Sequence, residues 1–187
     1  MSDSEEVGRE PTDLIAKVAG PVGGLWVAYN DHGICGSGFA NLTTFARFRE
    51  ELHDRTGRPA RLADALPADL FDLIEKSFAT GDRDELTFDL RGASPFQQSV
   101  WEACLAIPAG ETRSYSDLAA EIHRPKAVRA VASALGTNPI PVLVPCHRVL
   151  RSDGSLGGYA YGLPIKERLL DREAVRSAAC AFTSDGR

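Results

Sequence analysis

Apolar residues recur along this chain with two spacings. Leu25 to Tyr29 and Ile34 to Phe39 read as short extended runs around the turn residues Asn30, Asp31 and Gly33, which predicts a hairpin. Phe45, Phe48 and Leu52 then recur at helical spacing, as do Leu70, Phe71, Ile74 and Phe78, and Leu86 to Leu90 alternates like a strand. These elements make a small α/β domain over residues 20–91, preceded by a polar, loose segment over 1–19. Arg91 to Ser94 is the joint. Beyond it helical signals dominate, giving a second domain over 92–176 and a tail over 177–187.

The second domain opens with Ser94, Pro95 and Gln97, a helix-starting set in which serine caps, proline fills the first turn and glutamine caps in return. Phe96, Val100 and Cys104 follow on one stripe, so Cys104 reads as a small buried hydrophobe. Ser114 with Asp117 marks a further helix with Leu118 and Ile122 on its apolar edge, broken at His123-Arg124-Pro125. Another helix runs from Pro125 towards Gly136, so the pair reads as a helix-turn-helix. Val128, Val131 and Leu135 share its core side, leaving Lys126, Arg129, Ala130 and Ser133 opposite. Small residues between cations suit close approach to a phosphate backbone or groove, although an ordinary surface helix gives the same pattern. In the last helix, opened by Pro164, Glu173 falls on the apolar side with Ile165, Leu169 and Leu170. A carboxylate there needs a histidine, an arginine or water to satisfy it, unless it reaches solvent at an edge or pairs with Lys166.

Charge and composition narrow the partners. The chain has 187 residues, 43% of them hydrophobic, and a net charge of -5. Residues 1–93 carry 10 Lys/Arg against 17 Asp/Glu, and residues 94–176 carry 10 against 8, so the halves stand at -7 and +2. Any nucleic-acid contact therefore belongs to the second half. The acidic start and the lack of a long apolar run argue against a secretory signal or membrane span, which points to the cytoplasm. The four cysteines, Cys35, Cys104, Cys146 and Cys180, form no CxxC pair, and His32, Cys35 and His53 supply no convincing four-ligand set. No metal and no cofactor are expected.

One short stretch carries chemistry. In "IPVLVPCHRVL", Ile140 to Leu150, a cysteine and a histidine lie side by side in an apolar run fixed by prolines. A thiol attacks as thiolate, and an imidazole with a carboxylate behind it can take its proton, so Cys146, His147 and Glu173 make a plausible relay. Adjacent side chains diverge, so His147 reaches Cys146 only through a water; a buried thiol beside a surface histidine remains the alternative.

These stretches, with "RAVASALGTNP", "GGYAYGLPIKERLLDRE" and "FQQSVWEACLAIPAGETRSYSDLA", closely resemble the O6-alkylguanine-DNA alkyltransferase family from about Phe96 to Glu173; "GPVGGLWVAYNDHGICGSGF" matches more loosely. The resemblance implies an α+β fold: a small ribonuclease H-like α/β domain followed by a mainly helical, winged-helix-like domain with a helix-turn-helix. It implies irreversible, stoichiometric transfer of an alkyl group, mainly methyl, from O6-alkylguanine in duplex DNA to Cys146, with O4-methylthymine as a further substrate. Recognition would come from the helix Pro125–Leu135 in the minor groove, with Arg129 filling the gap left by a flipped nucleotide.

The remaining roles follow from the same resemblance. Tyr115 would assist rotation of the nucleotide and donate to guanine N3, and Glu173 would orient His147. Asn138 would brace the turn. Val144, Pro145, Val149, Tyr159, Ala160 and Tyr161 would shape the pocket, with the carbonyls of Val144 and Cys146 holding the guanine amino group. Ala127, Ala130, Ser133, Thr112, Ser114, Lys126 and Arg151 would line the DNA. The protein would act as a monomer at the nucleoid, with cooperative binding along DNA open. Two positions depart from the family: Ala132 and Ser133 replace two glycines, and Ala160 and Tyr161 replace a small hydroxyl residue and glycine. Tyr161 should crowd the alkyl site, favouring methyl over benzyl. A non-catalytic lesion sensor and a helix-turn-helix regulator are the rival readings.

Overall fold

The structure, a computed structural model, describes residues 12–184, with side chains described to residue 174. The first domain is a four-stranded sheet of order β3-β2-β1-β4, from β1 (Asp13–Gly20), β2 (Gly23–Asn30), β3 (Gly33–Phe39) and β4 (Ala60–Leu62). The first three strands are antiparallel neighbours and β4 joins β1 in parallel. The expected hairpin is β2–β3. The expected loose segment is corrected over residues 13–19, which form a central strand; residues 1–11 lie outside the described residues. Asp13 hid that strand, because a fully buried carboxylate is satisfied only by distant partners, Asn30 Nδ2 at 2.9 Å and Arg58 Nη2 at 3.0 Å. The strand expected at Leu86–Leu90 is also corrected: it makes one isolated bridge, Ile34 to Phe88.

Two helices flank this sheet. Helix α1 (Phe45–Thr56) starts where Thr44 accepts from the Arg47 amide, and buries Phe48 and Leu52 against Ile15, Ala28 and Cys35. Helix α2 (Ala68–Thr80) buries Ile74 and Phe78. It stops at Gly81, whose φ of 81° is left-handed and where a Cβ would stand 2.3 Å from that of Ala109. A glycine is therefore required there both by conformation and by close approach to the second domain.

The second domain holds α3 (Pro95–Leu105), α4 (Tyr115–Glu121), α5 (Val128–Gly136) and α6 (Leu163–Ser184), with a parallel pair β5 (Arg113–Ser114) and β6 (Val149–Leu150). Both expected capping boxes are present, Ser94 with Gln97 and Ser114 with Asp117. The second helix of the helix-turn-helix is shorter than expected: it begins at Val128, since residues 125–127 belong to the turn. His123, at φ 57°, ends α4 and redirects the chain. Helix α6 continues to Ser184, through most of the segment read as a tail.

One continuous core runs through both domains, from Val27 and Ile34 to Val100, Leu118, Leu143 and Leu169. Each such side chain contributes about 1.5–3 kcal/mol on burial. Trp101 also donates Nε1–H to the Ala134 carbonyl at 2.9 Å, pinning α3 to the end of α5. Truncating it to alanine should cost about 3–5 kcal/mol.

Candidate functional site: a buried cysteine beneath the helix-turn-helix

The segment between α5 and β6 is held by its own side chains. Prolines at 139, 141 and 145 remove amide donors, so the turn depends on other groups. Asn138 supplies most of them: Nδ2 donates to the Val144 carbonyl at 2.9 Å and to Cys146 Sγ at 3.1 Å, and Oδ1 accepts from the Ile140 amide at 3.0 Å. Ser37 of β3 adds two donors, its amide to the Pro139 carbonyl at 2.9 Å and its Oγ to the Pro141 carbonyl at 2.7 Å. The first domain thus props the loop that carries Cys146.

Behind the cysteine, a single turn of 3₁₀ helix spans Cys146–Arg148. His147 is fully buried and its Nε2 lies 3.1 Å from Glu173 Oε1. Arg148, also fully buried, grips the same carboxylate twice, Nε to Oε2 at 2.9 Å and Nη2 to Oε1 at 2.8 Å, and donates Nη1 to the Ile107 carbonyl. Burial alone would raise the Glu173 carboxyl, but these hydrogen bonds and charges bring it down to about 2. Glu173 is therefore ionised, Nε2 of His147 must carry the proton, and Nδ1 is the free lone pair. That Nδ1 is buried with no protein partner.

The protonation of the other two groups follows from burial. Burial pushes His147 below its ordinary value, with Glu173 pulling the other way, so the ring is neutral near pH 7. Burial also raises the Cys146 thiol, against the Asn138 hydrogen bond and the Lys166 charge. The resting sulfur is therefore a thiol, and a base must take its proton before it can attack. Lys166 is fully buried, donating to the carbonyls of Val149 and Leu156, and burial lowers it to about 8. It does not pair with Glu173.

Cys146 opens on a cavity of about 300 Å³, a volume at the low end of ligand pockets. Ala132, Leu135 and Gly136 of α5 form one wall, Tyr115 another, and the Gly158–Tyr161 loop a third. The Tyr161 ring packs edge-on against Phe39 at 4.9 Å and Tyr159 at 5.7 Å. Of the residues expected to shape the pocket, Tyr159, Ala160 and Tyr161 do so, whereas Val144, Pro145 and Val149 are buried behind it and do not line it.

The expected DNA-facing residues are distributed unevenly. Arg129, Ala130 and Ser133 are exposed on α5; Lys126 is exposed but precedes the helix, and Ala127 is half-buried at its start. Thr112 and Arg151 are exposed, and Ser114 is half-buried as the cap of α4. Pairing of Ser114 with Leu150 in the β5–β6 ladder brings Tyr115, which lines the pocket, and Arg151, which does not, together beside Gly157. Three groups were missed as functional candidates. Arg148 and Lys166 lie inside the motifs already quoted, but Ser37 carries no local signal, since its partners are 102 and 104 positions away. Among the described residues no three His, Cys, Asp or Glu side chains converge on a metal-sized site, and no helix is long and apolar enough to cross a membrane.

The class so defined is a two-domain α+β protein with a buried cysteine in a base-sized pocket under a helix-turn-helix. Residues 95–175 match the DNA-binding domain of 6-O-methylguanine DNA methyltransferases. The chain is 38% identical over 168 residues to the methylated-DNA–protein-cysteine methyltransferase of Salmonella typhimurium, covering 86% of this chain and 95% of that one. It is 42% identical over 161 residues to the bifunctional transcriptional activator and DNA repair enzyme Ada of Escherichia coli, covering 82% of this chain but 43% of that longer protein. The crystal structure of Mycobacterium tuberculosis OGT in complex with DNA superposes with a TM-score of 0.69 at 35% identity, covering 87% of this chain and 94% of that one. The chain belongs to the methylated-DNA–protein-cysteine methyltransferase family.

Proposed function

We propose that this protein repairs alkylated DNA by moving the alkyl group, chiefly methyl, from O6 of guanine to Sγ of its own Cys146. The observation that carries this reading is Cys146 itself, hydrogen-bonded by Asn138 on the floor of a cavity walled by α5. Its thiol proton passes to Nδ1 of His147 through a water, and Glu173 stabilises the imidazolium through Nε2. The thiolate attacks the alkyl carbon as the carbon–O6 bond breaks. Overall the thiol proton replaces the alkyl group on guanine, and a thioether replaces the thiol. Because a thioether is a poor leaving group, each chain acts once.

Duplex DNA is the partner, a reading supported by the Mycobacterium tuberculosis relative, which is seen in complex with DNA. The target base must leave the stack to meet a sulfur this deeply placed, and a damaged base is the less costly one to extrude. Arg129, exposed on α5, fills the gap, while Ala130, Ala132 and Ser133 let the helix approach the minor groove closely. Tyr115, at the pocket edge, donates to guanine N3. The protein works alongside DNA in the cytoplasm. A sensor or a regulator would bind DNA equally well, yet neither uses a cysteine backed by a histidine and a carboxylate.

Titration of the protein with duplex DNA bearing one O6-methylguanine tests this. Removal of one methyl per chain, and none by Cys146→Ser despite retained binding, is the expected result. Turnover beyond one lesion per chain, or full activity in Cys146→Ser, would contradict it.

A further inference from the structure

We propose that Arg83, contributed by the first domain, is a positioning residue for the transfer site: it holds the Val142 carbonyl in a left-handed turn beneath Cys146 and stands beside the Arg148–Glu173 pair. This rests on the alkyl-transfer reading above. Arg83 follows α2, and its guanidinium bridges the two domains, Nη1 donating to the Gly81 carbonyl at 2.7 Å and Nη2 to the Val142 carbonyl at 3.3 Å. Val142 has a φ of 73°, a conformation that a β-branched side chain strongly disfavours. It persists because surroundings over-determine it: the side chain is 2% exposed, and the flanking Pro141 and Val144 form a bridge. The next links lead directly to sulfur, since the Val144 carbonyl is gripped by the Asn138 amide that also donates to Sγ.

The guanidinium also adds charge. Arg83, Val142, Arg172 and Glu173 line one small cavity of about 20 Å³; Arg172 is turned to the Pro21 carbonyl at 3.0 Å, and Arg83 adds a half-buried cation near Glu173 besides Arg148. His147 is faced by Glu173 from α6, by Arg148 from its own turn and by Arg83 from the first domain; the two arginines oppose its protonation and Glu173 favours it. Removing Arg83 therefore makes His147 easier to protonate, and a protonated ring cannot accept the thiol proton. Two effects are separable: the hydrogen bond sets where Sγ sits, and the charge sets the pH at which the base works.

The test is single-turnover transfer from methylated duplex across pH, using the full chain and variants checked for folding by circular dichroism. Arg83→Met should slow transfer by about tenfold or more at unchanged DNA affinity, and its acid limb should move to higher pH. Arg83→Lys should restore the limb. Arg83→Gln, which still donates but carries no charge, should shift the limb with little loss of rate at high pH. Adding Val142→Gly to Arg83→Met should recover rate, because glycine adopts the turn unaided, without returning the limb. Wild-type rate and limb in Arg83→Met, or equal slowing in the Met, Lys and Gln variants with an unmoved limb, would overturn the proposal. Failure of the wild-type chain to transfer at all would instead remove the functional reading.

Discussion

Arg148 and Glu173 meet in a two-point pair, with Nε–Oε2 at 2.9 Å and Nη2–Oε1 at 2.8 Å, directly behind His147. A histidine with a carboxylate is a familiar means of raising basicity, but here the carboxylate is shared with a fully buried arginine. The pair keeps Glu173 ionised at any working pH and stops it from drawing a full proton from the ring. The orientation of His147 is thus bound up with the stability of the fold.

Breaking that pair should be costly. Arg148→Met leaves Glu173 without its principal cation in a mostly buried place, and about 3–5 kcal/mol of stability should be lost, measured by urea unfolding. The acid dependence gives a second check. Glu173 has a folded value of about 2 against an ordinary 4.5, so its stabilisation is complete above pH 4.5 and disappears as pH falls towards 2. Glu173→Gln should be less stable than wild type at pH 7, and the gap should narrow across that window.

The rate of transfer should follow His147. Burial holds this ring below its ordinary 6.5, and it must be neutral to accept a proton, so transfer should be level near neutrality and fall only once pH drops below 6.5. Because burial holds Cys146 above 9 as a thiol, iodoacetamide should label it slowly near pH 7, far more slowly than a cysteine with a standing thiolate. Rapid labelling at pH 6 would show that sulfur is already charged.

Tyr161 should restrict the alkyl group. Its ring is fixed between Phe39 and Tyr159 on the pocket wall, so a benzyl group has to displace a packed aromatic cluster. Free O6-benzylguanine should inactivate the wild-type chain poorly, and Tyr161→Gly should increase that rate by about tenfold or more while methyl transfer changes little. Equal benzyl sensitivity in both proteins would place the restriction elsewhere.

Substituting Arg129 should separate DNA handling from chemistry. It is exposed on α5, so Arg129→Ala should leave stability within about 0.5 kcal/mol and leave reaction with a free alkylated base intact. Transfer from duplex DNA should fall sharply. Parallel assays with duplex and free base measure the difference.

What could be read from the sequence followed local rules. The capping serines, the α3 stripe, the β2–β3 hairpin and the inward Glu173 all depend on residues within one or two turns of each other. Local rules fail where distant partners decide. Strand β1 looked polar because Asp13 and Lys17 interrupt it, yet Asp13 is neutralised by Arg58 and Asn30. Leu86–Leu90 alternates correctly but makes only one bridge with the sheet, through Phe88. The motif at Cys146 announced a reactive thiol without revealing its protonation, which burial sets. Arg83 and Ser37 brace the same loop from the first domain, and no pattern near either signals it.

The central claim is that the alkyl group ends on one particular sulfur. After incubation with duplex DNA containing O6-methylguanine, peptide mass mapping should find a single added methylene on the peptide that contains Cys146, with Cys35 and Cys104 unmodified. A methyl group on another residue, or an unmodified protein bound to an intact lesion, would contradict the account.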